Sequence, residues 1–286
     1  MSKSPWDHAK PKTGGGRERS AAAPGRPDRS PQQDADRRAD GGPRRDAELR
    51  LYGWNACLAA FKRRPQDLRK VYLNASRMTD LRDVLAYCVE QRLGYRLVEN
   101  DDLSRLTGSQ HHEGLCFDVR WPTPLSLTRV LSQAAERCLL VWLDGVGNPH
   151  NLGAILRSAA HFGVQAVLSP SAAGVRLSGA AARVAEGGAE AVPLIGVDDL
   201  TGAWHLLKAE GFTSVATLPA GANSLFKQAL PARTVLVLGA EQAGVGAETL
   251  QYCELHLAIP GSGQVESLNV ASAAAVFFAE WCRRWG

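Results

Sequence analysis

No apolar run in this 286-residue sequence reaches the roughly 18 residues that a membrane-spanning helix needs. The N-terminus, MSKSPWDHAKPK, holds no apolar signal-peptide core, and the acids among its arginines disfavour an organelle transit peptide. A cytoplasmic protein with no membrane partner is expected. Paired cysteines are missing as well. The nearest two of the six (Cys57, Cys88, Cys116, Cys138, Cys253, Cys282) are Cys116 and Cys138, 22 positions apart. That spacing excludes a CxxC-type metal or redox motif and leaves buried, reduced thiols; no metal is expected. Charge of one sign is also lacking outside the first 50 residues. Those 50 hold 12 Lys+Arg against 8 Asp+Glu; of the totals of 33 and 29, 21 of each remain for the rest. The body must therefore meet any nucleic acid through local patches rather than overall charge. No GxGxxG dinucleotide fingerprint and no GxSxG nucleophile elbow is present, which weighs against a nicotinamide-dependent dehydrogenase and against Ser-His-Asp hydrolysis.

What is there begins with residues 1–47, dense in Gly, Pro, Ser, Arg and Asp. Such a segment buries too little apolar surface to offset its ordering entropy and reads as a disordered tail. Arg17, Arg19, Arg37, Arg38, Arg44 and Arg45 could tether RNA, but the interleaved acids fit a solubilising tail equally well. Order is expected from about Leu51. LYGWNACLAAFKR has apolar residues at helical spacing, and KVYLN, YRLVE and GLCFDVR read as strands. In MTDLRDVLAYCVEQR, Leu81, Val84, Leu85, Cys88 and Val89 share one helical face. Residues 48–120 thus form a small α/β domain. Pro122 and Pro124 mark a linker over 121–137, and a second α/β domain covers 138–286. Its expected strands are 139–144, 165–168, 191–195, 214–217, 234–238 and 255–259; its expected helices are 152–162, 179–185, 200–210 and 268–284. Short, nearly all-apolar strands alternating with helices imply a parallel sheet covered on both faces, with ligands at the strands' carboxyl ends.

Three segments sit at or just after such strand ends. NPHNLGAILRSAAHFG (148–163) opens a helix in which Asn148 and Asn151 could cap, and Arg157 stands among Leu152, Ile155, Leu156, Ala159 and Ala160. A guanidinium in that setting needs a partner: a carboxylate such as Glu241, an RNA phosphate, or a developing alkoxide. LGAEQAG (238–244) follows a strand with glycines that permit a tight turn and a close ligand approach. IPGSGQVESLNV (259–270) is a glycine loop in which Ser267 reads as the cap of an Ala-rich helix, with Asn269 just inside it. His111 and His112 have no companion at metal-ligand spacing and read as a turn or an RNA-facing surface. Tyr52, Trp54 and the basic run 62–64 are candidate RNA contacts, or else core aromatics and a solvated helix end.

Taken in order, the three segments resemble the motifs of the SpoU (TrmH-type) RNA ribose 2′-O-methyltransferases of the SPOUT superfamily, and specifically the bacterial tRNA/rRNA methyltransferase subgroup. YGWNA and HHEG in residues 51–120 resemble the opening and closing patterns of the L30e-like substrate-binding domain of that family, with Glu113 where Gln is usual. The resemblance covers about residues 50–286. It implies a catalytic sheet ending in a deep trefoil knot, S-adenosylmethionine as cofactor, tRNA or rRNA as substrate, and a homodimer joined through the knotted domain. It further implies catalytic roles for Asn151, Arg157, Glu241, Ser267 and Asn269, and cofactor contacts at Leu238, Gly239, Gly244, Ile259 and Leu268. Arginine is effectively always protonated, so Arg157 is expected to stabilise a nascent alkoxide rather than act as a base. A non-catalytic RNA-binding or assembly factor retaining the cofactor fold stays open beside the enzyme.

Overall fold

A computed structural model describes residues 48–219 and 221–286; the tail expected over 1–47 lies outside them. The first sheet has four strands, β1 (Glu48–Tyr52), β2 (Leu68–Leu73), β3 (Gly94–Leu97) and β4 (Leu115–Arg120), in the order β1-β4-β2-β3. β4 runs antiparallel to β1 and β2, and β3 parallel to β2. Helices α1 (Trp54–Arg63), α2 (Arg82–Glu90) and α3 (Asn100–Thr107) complete this part. The helix expected from Leu51 starts three residues later. Leu51 and Tyr52 pair with Phe117 and Cys116 instead. Gly53 then turns the chain with φ of 87°, a left-handed value that costs a side chain dearly. On α2 the expected face holds for Leu81, Val84 and Cys88, all buried, while Val89 stands 67% exposed.

The second sheet has seven parallel strands: β5 (Cys138–Asp144), β6 (Ala166–Pro170), β7 (Leu194–Val197), β8 (Thr213–Thr217), β9 (Asn223–Ser224), β10 (Arg233–Gly239) and β11 (Leu255–Ala258). Their order is β7-β6-β5-β10-β8-β11-β9. The helices are α4 (Leu127–Ser132), α5 (Pro149–His161), α6 (Gly179–Val184), α7 (Gly188–Ala191), α8 (Leu200–Ala209), α9 (Ala247–Leu250) and α10 (Val270–Trp285). The strand expected at 191 begins at Leu194, because 188–191 form a helical turn. The two-residue strand β9 carries too little pattern to be read from sequence.

Both faces of this sheet are covered, as its apolar strands require. On one face Leu139, Val141, Leu143, Leu236 and Leu238 pack with Ile155 of α5 and Phe277 and Phe278 of α10. On the other, Leu140, Trp142, Leu168 and Val237 pack with Trp204 of α8. The first of these cores does not stop at the sheet: it continues without interruption into Leu51, Val71, Leu73 and Phe117 of the four-stranded sheet. All six cysteines are free thiols, four of them buried. No helix among the described residues is long and apolar enough to cross a membrane.

Candidate active site

The carboxyl ends of β5, β10 and β11 release the three segments singled out from sequence. Asp144, the last residue of β5, is in register with Gly239, the last of β10. Beyond them the chain turns sharply. Ala240 and Gly244 exchange backbone hydrogen bonds at 3.0 and 2.9 Å, folding 240–244 into a tight loop. Gly239 lies directly under the returning strand, and a Cβ there would overlap the backbone of Gly244 and Val245. Asp144 fixes the far side by accepting the Gly246 N–H at 2.7 Å. Sequence reasoning assigned Asp144 no role; its signal was a carboxylate ending an otherwise apolar strand.

Asn269 joins the segments. Its Oδ1 accepts the N–H of Ala271 at 2.9 Å and of Ser272 at 3.4 Å, capping α10. Its Nδ2 donates to Asn151 Oδ1 at 3.0 Å and to Glu241 Oε1 at 2.7 Å. One amide therefore ties the N-terminal turn of α5, the loop after β10 and the start of α10. Asn269, not Ser267, is the helix cap; Ser267 lies exposed two residues before it. The sequence reading placed the cap too early because Ser is also a favoured cap residue. Asn148 caps α5 by accepting the His150 N–H at 2.8 Å, and Pro149 supplies the preset φ of a first helical residue.

Arg157 corrects an expectation. The helix around it is apolar on most sides, yet Arg157 itself is exposed, and Glu241 is bonded to Asn269 instead. Six residues beyond Asn151, it stands about 9 Å along α5 and about 120° around it. It opens onto a separate cleft of ≈ 580 Å³, lined also by Asn55, Ser158, His161, Phe162 and Glu186. Within one chain, then, Asn151, Glu241 and Asn269 are brought together, Ser267 is nearby in sequence, and Arg157 faces elsewhere.

The loops suit a ligand with an apolar part and a polar end. Leu238 is fully buried and offers only its backbone, whereas Ile259 is half-buried. Leu268 (48%) and Val265 (72%) stand exposed beside them. Gly244 has φ of 67°. Among the described residues, the backbone N–H groups of 261–268 find no protein partner. Apolar surface beside free backbone donors suits a ligand that is part apolar and part hydrogen-bond acceptor. Among the described residues no group of His, Cys, Asp and Glu could hold a metal ion.

His112 is buried; its Nδ1 accepts the Gly114 N–H at 3.1 Å and its Nε2 lies 3.2 Å from Ser104 Oγ, so it holds the 111–114 turn. Tyr52 is a core residue, and Trp54 is half-buried with the Arg77 guanidinium 5.1 Å from its ring centre. Of the basic run, Lys62 and Arg63 are solvated while Arg64 is buried in an ion pair.

A parallel sheet whose carboxyl-end loops are tied into one polar cluster defines the class of α/β proteins that bind ligands at such a crevice. The particular family follows from comparison with known proteins, and the chain belongs to the SpoU rRNA methylase family. That family matches residues 138–279, and the RNA 2′-O ribose methyltransferase substrate-binding family matches residues 50–125. The tRNA/rRNA methyltransferase YfiF of Escherichia coli O157:H7, itself described as uncharacterized, is 36% identical over 240 residues, 84% of this chain and 69% of that one. The 23S rRNA (guanosine-2′-O-)-methyltransferase RlmB of Nitrosomonas europaea is 34% identical over 239 residues, 82% of this chain and 91% of that one. The crystal structure of the SpoU methyltransferase AviRb from Streptomyces viridochromogenes with AdoMet shares the fold, with a TM-score of 0.72 at 21% identity over 89% of this chain and 98% of that one.

Proposed function

We propose that this chain transfers the methyl group of S-adenosylmethionine to a ribose 2′-hydroxyl of tRNA or ribosomal RNA. The observation that carries the reading is the Asn269 amide, which gathers three loops of a SpoU sheet at its carboxyl end. When bound, the cofactor supplies a methyl made electrophilic by its sulfonium. Backbone groups at Leu238, Gly239, Gly244, Ile259 and Leu268 would hold it, with Ile259 and Leu268 supplying apolar surface. Asn151, Ser267 and Asn269 orient the ribose, and Glu241 keeps the Asn269 amide in place. Arg157 would stabilise the negative charge building on the 2′-oxygen as its proton passes to a substrate phosphate held by the same guanidinium, because a permanent cation serves that charge and a protonated guanidinium cannot itself act as a base.

Residues 48–120 hold the RNA, 121–137 connect, and 138–286 carry out the transfer. The loops beyond β10 and β11 form a deep trefoil knot. Supporting this are the placement of β10 between β5 and β8, and the return of α10 onto α5 and β10 after β11. The working unit is a homodimer. Supporting this, Arg157 is exposed and stands about 120° around α5 from Asn151, which leaves its guanidinium free to reach the site of a second copy.

The test is calorimetric titration with S-adenosylmethionine, then methyl transfer to total RNA, then mapping of 2′-O-methyl sites in cells with and without the protein. Binding, turnover and the loss of one mapped site are expected. Cofactor binding without turnover on any RNA would favour an assembly factor instead.

A further inference from the structure

The two parts of the chain meet in a seam that is buried at Arg64 and Glu190 and borders the Arg157 cleft at Asn55 and Glu186. Arg64, at the end of α1, donates Nε to Glu190 Oε2 and Nη2 to Glu190 Oε1, both at 2.7 Å, and Nη1 to the Arg120 carbonyl. Both side chains of this bidentate pair are more than nine-tenths buried. Arg183 of α6 donates Nε to the His111 carbonyl at 2.8 Å and pairs with Glu113 at 3.6 Å. Glu113 in turn accepts the Trp54 N–H at the start of α1 at 2.8 Å. Asn55 donates to Glu186.

Between these polar links the backbones themselves touch. A Cβ on Gly53 would stand 2.9 Å from Arg183 Cγ, and one on Gly179 would run into the Arg50 carbonyl and the Tyr52 ring. The apolar core crosses the same boundary. By contrast, 121–126, the covalent connection, is exposed throughout. Interdomain surfaces that are small and polar move by default; one that is continuous with the core and seals a buried ion pair does not.

Helices α6 and α7 are the platform on which residues 48–120 sit. They also pack against α5, which carries Asn151 and Arg157. Resting on the function proposed above, we infer that the small part is a fixed jig rather than a swinging arm. Arg64 and Glu190 are positioning residues: they set one distance between the place where RNA is gripped and the ribose that reacts. RNA selection then follows from that span. A structured RNA must present its gripped element and its target nucleotide at the set separation, whereas a short oligonucleotide carrying only the target is indifferent to it. A misregistration of about 1 Å is enough to cost on the order of 100-fold in rate.

The test removes the latch and then restores it. Arg64→Met/Glu190→Gln deletes both charges at once, so that neither is left buried alone. Arg64→Cys/Glu190→Cys breaks the pair in the reduced protein, and a short bifunctional thiol reagent closes it again. The wild type treated with the same reagent serves as control for its native thiols. Substrates are an unmodified 23S rRNA transcript or tRNA pool and a short oligonucleotide containing the mapped site. For both open variants we expect kcat/KM on the structured RNA to fall about 10- to 100-fold. Turnover on the oligonucleotide and cofactor affinity should stay near the wild type.

Cross-linking should restore the structured-RNA activity. Spin labels on Lys62 and Lys208, one in each part, should give one narrow distance in the wild type, unchanged by RNA, and a broad one in the open variants. The jig is overturned if the two substrates fall together, if cross-linking abolishes rather than restores activity, or if the wild-type distance is already broad or shifts when RNA binds. Absence of methyl transfer by the wild type to any RNA overturns the proposed function, and the distance measurement then still decides whether the seam is rigid.

Discussion

The seam and the loop cluster are both built from polar side chains brought together from distant parts of the chain, and they differ in what those side chains are left to do. At the seam, the Arg64 guanidinium is fully engaged by Glu190, the Arg120 carbonyl and Asp67, with the Arg64 and Glu190 side chains both buried. At the carboxyl end of the sheet, Asn269 spends its whole amide on Asn151, Glu241 and the cap of α10. Around it, free N–H groups and exposed Val265 and Leu268 face solvent. Satisfied polar groups hold a structure in one arrangement; unsatisfied ones are available to a ligand. The molecule is finished at one boundary and unfinished at the other, and the unfinished end is where chemistry is expected.

That contrast can be broken by substitution. The largest effect is expected at the seam. Arg64→Met leaves Glu190 buried without a partner and should cost about 3–5 kcal/mol in a urea denaturation, most of it recovered when Glu190 is also neutralised. Arg157→Ala belongs to the other kind. Folding and calorimetric cofactor affinity should stay nearly unchanged while turnover falls by about two to three orders of magnitude. Full activity in that variant would remove Arg157 from the mechanism.

Gly239→Ala pushes a methyl into the returning backbone at Gly244 and Val245. It should cost about 1–3 kcal/mol of stability and weaken S-adenosylmethionine binding in the same titration. Asn269→Asp is subtler: the carboxylate still caps α10, but both Nδ2 donors are lost. Stability should drop by about 1 kcal/mol, with a larger loss of turnover than Asn151→Ser causes.

A pH dependence of the core comes last, because it vanishes at neutral pH and enters only in alkali. Burial pushes the Cys116 and Cys253 thiols up to about 12 and Cys138 up to about 11, from the usual 9.0. In that range the folded chain keeps protons that the unfolded chain has released. Stability is therefore full below pH 9.0 and declines as pH rises toward 11 and 12. Denaturation curves at successive pH values check the sign.

The sequence was most readable where one physical signal dominated. The strands of the second sheet are apolar enough to be buried on both faces, so their positions follow from hydrophobicity and the punctuation around them. Asn151, Glu241 and Asn269 were named through the family resemblance; taken alone, each read as readily as a helix cap, a surface acid or a loop tie, and only the fold shows the three bonded together. The parts that escaped depend on partners far away in the chain. Arg157 looked buried because its helix is apolar, but only three-dimensional placement shows which side of α5 faces solvent. Ser267 and Asn269 are both good caps, and the choice between them is made by Asn151 and Glu241, more than a hundred and nearly thirty residues away. Arg64 read as part of a basic run, either an RNA contact or a solvated helix end, because nothing local announces Glu190 as its mate, 126 positions downstream.

The exposed strap at 121–126 has a consequence for how such a chain can be taken apart. Severing it should not release two independent pieces, since the apolar interior runs from one to the other and the broken ends stay clamped. Two stretches that match separate family models share, in this molecule, one apolar interior. Transplanting the first onto a foreign methylase would require carrying its landing pad, 179–191, along with it.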